Sequence, residues 1–151
     1  MSINVIFTKV HKSAKVPTHS HFGDAGWDLV YAGDKTRIIY SGESVLLGTG
    51  LKVCFSPDYV MEIKNRSGMA AKKQLLIGAC VVDSNFRAEV MVNIHNFSGK
   101  TCEINPGDRI AQAIFHRLAD VSFLEYTNEE YERECLKDSE RQLGGFGSSG
   151  N

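Results

Sequence analysis

The sequence predicts an all-β domain of the sandwich or jelly-roll type. Short alternating or apolar runs recur along the chain, turn residues separate them, and no long stretch carries helical periodicity. Near the start, Val5 and Phe7 alternate with Ile6 and Thr8. Leu51-Lys52-Val53-Cys54-Phe55 follows the turn signal Gly48-Thr49-Gly50. From Tyr59 to Lys64 the side chains alternate, with Tyr59, Met61 and Ile63 on one face and Val60, Glu62 and Lys64 on the other. Leu75-Leu76-Ile77 and Cys80-Val81-Val82 are short apolar runs of strand type. Val90, Val92 and Ile94 share a face opposite Met91, Asn93 and His95. Ile110 to His116 closes the regular part after the turn Asn105-Pro106-Gly107-Asp108.

Only two segments suit a helix. Ser67 to Lys73 fits a short turn or helix, and Thr127-Asn128-Glu129-Glu130 has capping-box spacing ahead of Tyr131 to Leu136. The acidic stretch between Glu125 and Glu140 reads as a solvated linker. The expected organisation is a β-domain over 1–126, an acidic linker with room for a short helix over 127–140, and a terminal segment over 141–151. The sequence shows no internal repeat and no second domain.

A chain of 151 residues suits one domain with a substantial core, and its 42% hydrophobic and 23% charged content is ordinary for a globular protein. A formal net charge of −1 argues against direct nucleic-acid binding, which favours a clustered basic patch. Cys54, Cys80, Cys102 and Cys135 are widely spaced with no C-x-x-C pair, so they read as reduced thiols rather than zinc ligands. His19 and His21 have no partner motif nearby and read as loop residues. The start Met1 to Lys9 lacks the layout of a signal peptide, and no run reaches the ~18 apolar residues of a membrane span. The expectation is a cytoplasmic protein, or a nuclear one in a eukaryotic or viral setting, with no membrane contact.

The end of the chain, Arg141-Gln142-Leu143-Gly144-Gly145-Phe146-Gly147-Ser148-Ser149-Gly150-Asn151, sets one cation and one aromatic ring among glycines and serines. Glycine loses the most backbone entropy on ordering, so a flexible arm is expected until something holds it. It admits two readings. One is a frayed terminus. The other is a lid in which Phe146 stacks on a planar ring, Arg141 grips an anion, and backbone N–H groups of Gly147, Ser148 and Ser149 approach phosphates.

Four further constellations carry chemistry. Gly23-Asp24-Ala25-Gly26-Trp27-Asp28-Leu29 is a small-residue turn that presents Asp28. Asn65-Arg66-Ser67-Gly68-Met69-Ala70 offers a guanidinium, a hydroxyl and a glycine N–H, either as an anion cradle or as a capped helix start. It is not a Walker A loop, and Gly99-Lys100-Thr101 would need glycine where Ile94 stands. Cys80 to Val92 reads as a β-hairpin around a polar turn, in which Asp83 either caps the turn or acts as a general base for water. In Pro106 to Ile114, Gln112 shares the Ile110/Ile114 face at strand spacing, so its amide needs a partner. Asp108 and Arg109 read as local structural pairs.

In this order, the segments resemble the motifs of the trimeric dUTPase family (deoxyuridine 5′-triphosphate nucleotidohydrolase). The residues that carry the likeness are Ala25 to Leu29, Arg66 to Ala70, Val82 to Arg87, Gly107 to Gln112, and Arg141 with Gly144 to Gly150. The resemblance implies a jelly roll of the β-clip type with a glycine-rich C-terminal arm, assembled as a homotrimer with active sites at subunit interfaces. It implies hydrolysis of dUTP to dUMP and pyrophosphate with Mg²⁺, limiting uracil in DNA and supplying dUMP. Asp83 would activate the water that attacks the α-phosphorus. Arg66, Ser67, Gly68 and Gln112 match phosphate-contacting positions, and Asp28 matches one linked through water to a metal held chiefly by the triphosphate. Backbone from Cys80 through Val81 and Val82 to Asp83, with Met91 opposite, would read uracil. Phe86 would pack on the deoxyribose, Arg141 would bind phosphates and Phe146 would stack on the base.

Three positions depart from the family pattern. Phe86 stands in place of the usual Tyr, Ala88 in place of a Gly after the hairpin arginine, and Cys80 in place of a Gly near the base. If position 88 needs a positive φ, alanine there costs on the order of 1 kcal/mol. Two other readings stay open. A dUTPase-like regulatory protein would keep nucleotide binding with weak catalysis. The related dCTP deaminases use glutamate in place of Asp83 and lack the tail.

Overall fold

A computed structural model describes residues 2–137 and 139, and the chain separates into a unit of Met1–Ala119 and a unit of Asp120–Asn151. The first unit is β throughout apart from one short helix. Its strands are β1 (Ile6–Lys9), β2 (Trp27–Val30), β3 (Arg37–Ile39), β4 (Ser44–Gly48), β5 (Leu51–Cys54) and β6 (Tyr59–Lys64). Helix α1 (Ser67–Lys73) follows, then β7 (Leu75–Gly78), β8 (Val81–Val82), β9 (Met91–Asn96), β10 (Cys102–Ile104) and β11 (Arg109–Arg117).

The larger sheet runs β2-β11-β6-β8 and the second runs β4-β9-β7, with β1-β5 and β10-β3 as two-stranded ribbons. Every described pairing of named strands is antiparallel. The expected alternation holds where a strand faces the core. Met61 and Ile63 of β6, and Val92 and Ile94 of β9, are buried and belong to one apolar cluster with Leu29, Val45, Leu47, Leu75, Val82 and Ile110. That cluster draws on the inner faces of both sheets, which is how a two-layer β sandwich excludes water.

The hairpin expected between Cys80 and Val92 does not form. Strand β8 pairs with β6 in the larger sheet, while β9 pairs with β4 and β7 in the other. The partner of β9 on that side of the chain is β7, Leu75–Gly78, one strand before β8. Between β7 and β8 the chain turns at Ala79, whose φ of 47° lies in the left-handed region. That corner moves the chain from one sheet to the other, so the loop from Asp83 to Val90 spans the two layers. Ala88 is not among the described residues with positive φ, so the anticipated strain falls at Ala79 instead.

Helix α1 is pinned by buried Met69 and ends at Gln74, a left-handed residue with φ 51°, whose N–H caps the carbonyls of Ala70 and Met69. The second unit holds α2 (Asn128–Tyr131), opened by Thr127 in a reciprocal capping box with Glu130, and a π-helical stretch Glu132–Leu136. Among the described residues no helix is long and apolar enough to cross a membrane.

Candidate active site

A cleft of about 640 Å³ opens over the β2-β11-β6 region. It is lined by Asp28, Arg66, Ser67, Gly68, Arg109 and Gln112, together with the loop residues Ser20, His21, Asp24, Ala25 and Gly26. The sequence segments around Asp28, Arg66 and Gln112 therefore converge. Gln112 pairs with Asp28 on one side and Lys64 on the other, which sets β2, β11 and β6 level at that row.

Asp28 is the centre of the cleft. It is only 8% exposed, and its carboxylate accepts from Arg66 Nε at 2.7 Å, Ser20 Oγ at 2.9 Å and Arg109 Nη1 at 3.1 Å. Burial pushes its carboxyl pKa up, but the Ser20 hydroxyl and the Arg109 and Arg66 guanidiniums outweigh that and hold it below the ordinary value of 3.8. Asp28 is thus an ionised anchor that holds two guanidiniums at the cleft, where Asp24 also stands.

Gln112 donates through Nε2 to the backbone carbonyl of Asn65 at 2.8 Å, and the Asn65 side chain in turn accepts from Ile77 N–H at 2.8 Å. This close seat depends on Gly26. A Cβ there would come within 2.0 Å of Gln112 Oε1 and 3.0 Å of its Cβ. His19 braces the same turn, with Nδ1 3.0 Å from the Gly26 carbonyl and its ring 3.8 Å from that of Trp27.

The face expected for Gln112 needs correction. The register of β11 against β2 shifts between Arg109 and Ala111, so Ile110, Ala111 and Ala113 are buried while Gln112 and Ile114 line the cleft. Gln112 shares a face with Ile114 but not with Ile110. The expectation for Arg109 also fails, because its side chain reaches Asp28 and Ser20 far along the chain. Asp108 does act locally, accepting from Asn105 N–H in the turn before β11. Arg109 and Ser20 are the cleft residues that the sequence reading missed. Their signal was faint, since neither a lone Ser nor an Arg after a Gly-Asp turn announces a partner in another strand.

Asp83, Cys80, Val81, Val82, Phe86 and Met91 do not line this cleft. Val82 is buried, while Val81, Asp83, Phe86 and Met91 are exposed. Cys80 is partly buried and its carbonyl accepts from Ile63 N–H at 2.7 Å. Asp83 ends β8 in a turn, with its carbonyl accepting from Phe86 N–H at 3.0 Å. The Arg87 guanidinium donates to the carbonyls of Ser84 and Phe86. Strand β8 is the edge of its sheet, so the outer backbone edge of Val81–Val82 has no described strand beside it. Arg141, Phe146, Gly147, Ser148 and Ser149 lie outside the described residues. All four cysteines are free, and the described residues hold no cluster of three His, Cys, Asp or Glu side chains placed to bind a metal.

A sequence model of the dUTPase family matches residues 12–150. The deoxyuridine 5′-triphosphate nucleotidohydrolase of Psychromonas ingrahamii is 33% identical, with 99% of this chain and 97% of the relative covered. That of Nocardia farcinica is 40% identical over 138 residues, covering 89% of this chain and 78% of the relative. Among solved structures, a Staphylococcus bacteriophage 80alpha dUTPase variant with dUpNHpp superposes with a TM-score of 0.84 at 23% identity, over 98% of this chain and 99% of that one. The dUTPase from phage phi11 of S. aureus, a variant with a structural Mg(II) ion, gives 0.75 at 22% identity over 85% and 99%. The match along nearly the whole sequence, together with the shared fold, means that this chain belongs to the dUTPase family.

Proposed function

We propose that this chain is a dUTP diphosphatase, hydrolysing dUTP to dUMP and pyrophosphate at sites shared between three copies. The observation that carries the reading is the Asp28-anchored cleft, where Arg66, Ser67, Gly68 and Gln112 gather their donors around one pocket. Its chemistry suits a triphosphate, because fixed guanidiniums and N–H donors stabilise phosphoryl oxygens.

Asp83 is the base. Its carboxylate accepts a proton from water as the water oxygen bonds to the α-phosphorus. The bond from that phosphorus to the bridging oxygen breaks, and pyrophosphate leaves into the Arg66 cleft. Such general-base help is worth ~10²–10⁴-fold. The unpaired edge of β8 pairs with the uracil edge, and Phe86 packs on the deoxyribose. From the neighbouring copy's chain end, Arg141 grips the phosphates, Phe146 stacks on the base, and the N–H groups of Gly147, Ser148 and Ser149 cap the anion.

Geometry within one chain favours sharing. Val82 stands opposite Met61 on β6, whereas Arg66 lies five residues further along, an offset of about 16 Å at ~3.3 Å per residue. Asp83 and Arg66 thus serve one substrate more readily from different copies.

Magnesium fits as a partner of the triphosphate rather than of the protein. Both Asp28 oxygens already accept hydrogen bonds, so this carboxylate would meet a hydrated ion only through water. When bound, Mg²⁺ neutralises charge on the phosphate oxygens.

The test is pyrophosphate release from dUTP, dTTP, dCTP and UTP by the wild type and by Asp83→Asn. Release from dUTP, lost on substitution, is expected. Equal rates in the two proteins would remove Asp83 from the role of base. Absence of release from any nucleotide would leave a binding protein instead.

A further inference from the structure

Arg109 and Gln112 are three positions apart on one strand, a spacing that in regular β structure sends side chains to opposite faces. Here both line the cleft, because the register shift between Arg109 and Ala111 reverses the alternation once. The irregularity delivers a second arginine to Asp28.

We propose that Arg109, together with Ser20, is a positioning residue for this site: it fixes the Asp28 carboxylate and, through it, the plane of the Arg66 guanidinium. The inference rests on the reading of the cleft as a triphosphate site. The torsion that turns an aspartate carboxylate is broad, so a single guanidinium on one oxygen leaves the group free to swivel. At Asp28 the oxygens are claimed separately. Oδ1 accepts from Arg66 Nε at 2.7 Å, while Oδ2 accepts from Ser20 Oγ at 2.9 Å and Arg109 Nη1 at 3.1 Å. Arg109 Nη1 also donates to Ser20 Oγ at 2.8 Å, closing a triangle around Oδ2. Arg66 is steadied again where its Nη1 donates to the Arg109 backbone carbonyl at 3.5 Å.

The consequence is a division of labour between the arginines. Arg66 commits Nε to Asp28 and Nη1 to the Arg109 carbonyl, and its Nη2, with no described protein partner, is the donor left for an anion in the cleft that Arg66 lines. Arg109 spends Nη1 on the anchor itself. A guanidinium fixed in advance loses less freedom when it meets phosphate oxygens.

A double-substitution cycle tests this. Kinetics with dUTP are measured for the wild type, Arg109→Gln, Arg66→Gln and the protein with both changes, alongside thermal midpoints. Arg109→Gln is expected to lower kcat/KM about tenfold or more, as for loss of a charge-assisted hydrogen bond. In the Arg66→Gln background the same change should add nothing, because its target is already gone. Ser20→Ala should show a smaller loss with the same dependence on Arg66, and Arg109→Lys a partial recovery through one remaining contact to Asp28. Multiplying effects would mean that Arg109 touches substrate directly, and the proposal fails. Unchanged kinetics with a lowered thermal midpoint would mean a purely structural role, and it fails again. Should Arg109→Gln not fold, Arg109→Lys and Ser20→Ala carry the same cycle. A wild type that releases no pyrophosphate from dUTP sinks the reading of the site; the cycle measured on binding of inorganic pyrophosphate then still tests the positioning role.

Discussion

Asp28 joins the stability of the fold to the proposed chemistry of the cleft in one carboxyl group. Its side chain is 10% exposed and faces two guanidiniums, so removing the negative charge leaves both short of a partner. Asp28→Asn is expected to destabilise the fold by about 1.5–3 kcal/mol at neutral pH, as for loss of charge-assisted hydrogen bonds to partly exposed guanidiniums. Because the folded pKa lies below the unfolded one, the stabilisation is fully present above about pH 5 and fades as pH falls below the ordinary value of 3.8. The gap between the thermal midpoints of the two proteins should therefore narrow as pH falls below 3.8 and close only once the folded carboxyl is protonated; a gap that did not narrow with falling pH would assign the loss to packing instead. Ala79 carries strain of another kind. At φ 47° an L side chain crowds the backbone, so Ala79→Gly should stabilise by about 1 kcal/mol in urea unfolding.

At the scale of elements, the strands most open to a sequence reader were those with a buried face. Met61 and Ile63, or Val92 and Ile94, write the core into their alternation. Strands β3, β4 and β10 escaped because their three to five residues sit among turns, without a long enough pattern to separate strand from loop. The hairpin was misplaced for a physical reason. Two apolar runs around a polar turn look like partners, but partner choice was decided by the corner at Ala79 and by the vacant side of β6. The cleft was half legible. Arg66, Ser67 and Gly68 follow directly from local sequence, whereas Arg109 depends on a register shift that no periodicity announces. The contact of β2 with β11 gives the prediction proper to this scale. Gly26→Ala would drive the Gln112 amide from its seat on Asn65, and a displacement near 1 Å at a site costs on the order of 10²-fold in rate. Steady-state kinetics should show that loss; wild-type turnover would mean that the amide can shift without consequence.

For the whole molecule, the proposal of shared sites makes a claim that no single chain can satisfy. Asp83→Asn and Arg66→Gln should each fall far below the wild type alone, with Arg66→Gln keeping a measurable residual rate. Mixed, dissociated and reassembled together, they should regain activity, because some interfaces then combine an intact Asp83 with an intact Arg66. Failure to regain any activity, with mixed assemblies demonstrated by mass, would place the whole site within one chain. The exposed apolar side chains of the first unit, Ile6, Leu46, Val81 and Phe97 among them, are consistent with surfaces that other copies cover.

The separation of Asp83 from the Arg66 cleft also bears on inheritance. In an assembly built this way, a chain defective only at Asp83 spoils the site on one flank, and one defective only at Arg66 spoils the other. A chain with both lesions disables a site on each side of itself, although its neighbours are sound. Co-expressed with the normal protein, the doubly altered chain would act as a dominant poison, whereas either single lesion would be milder. The distance between two side chains in one subunit thus sets how a mutation is felt by the subunits around it.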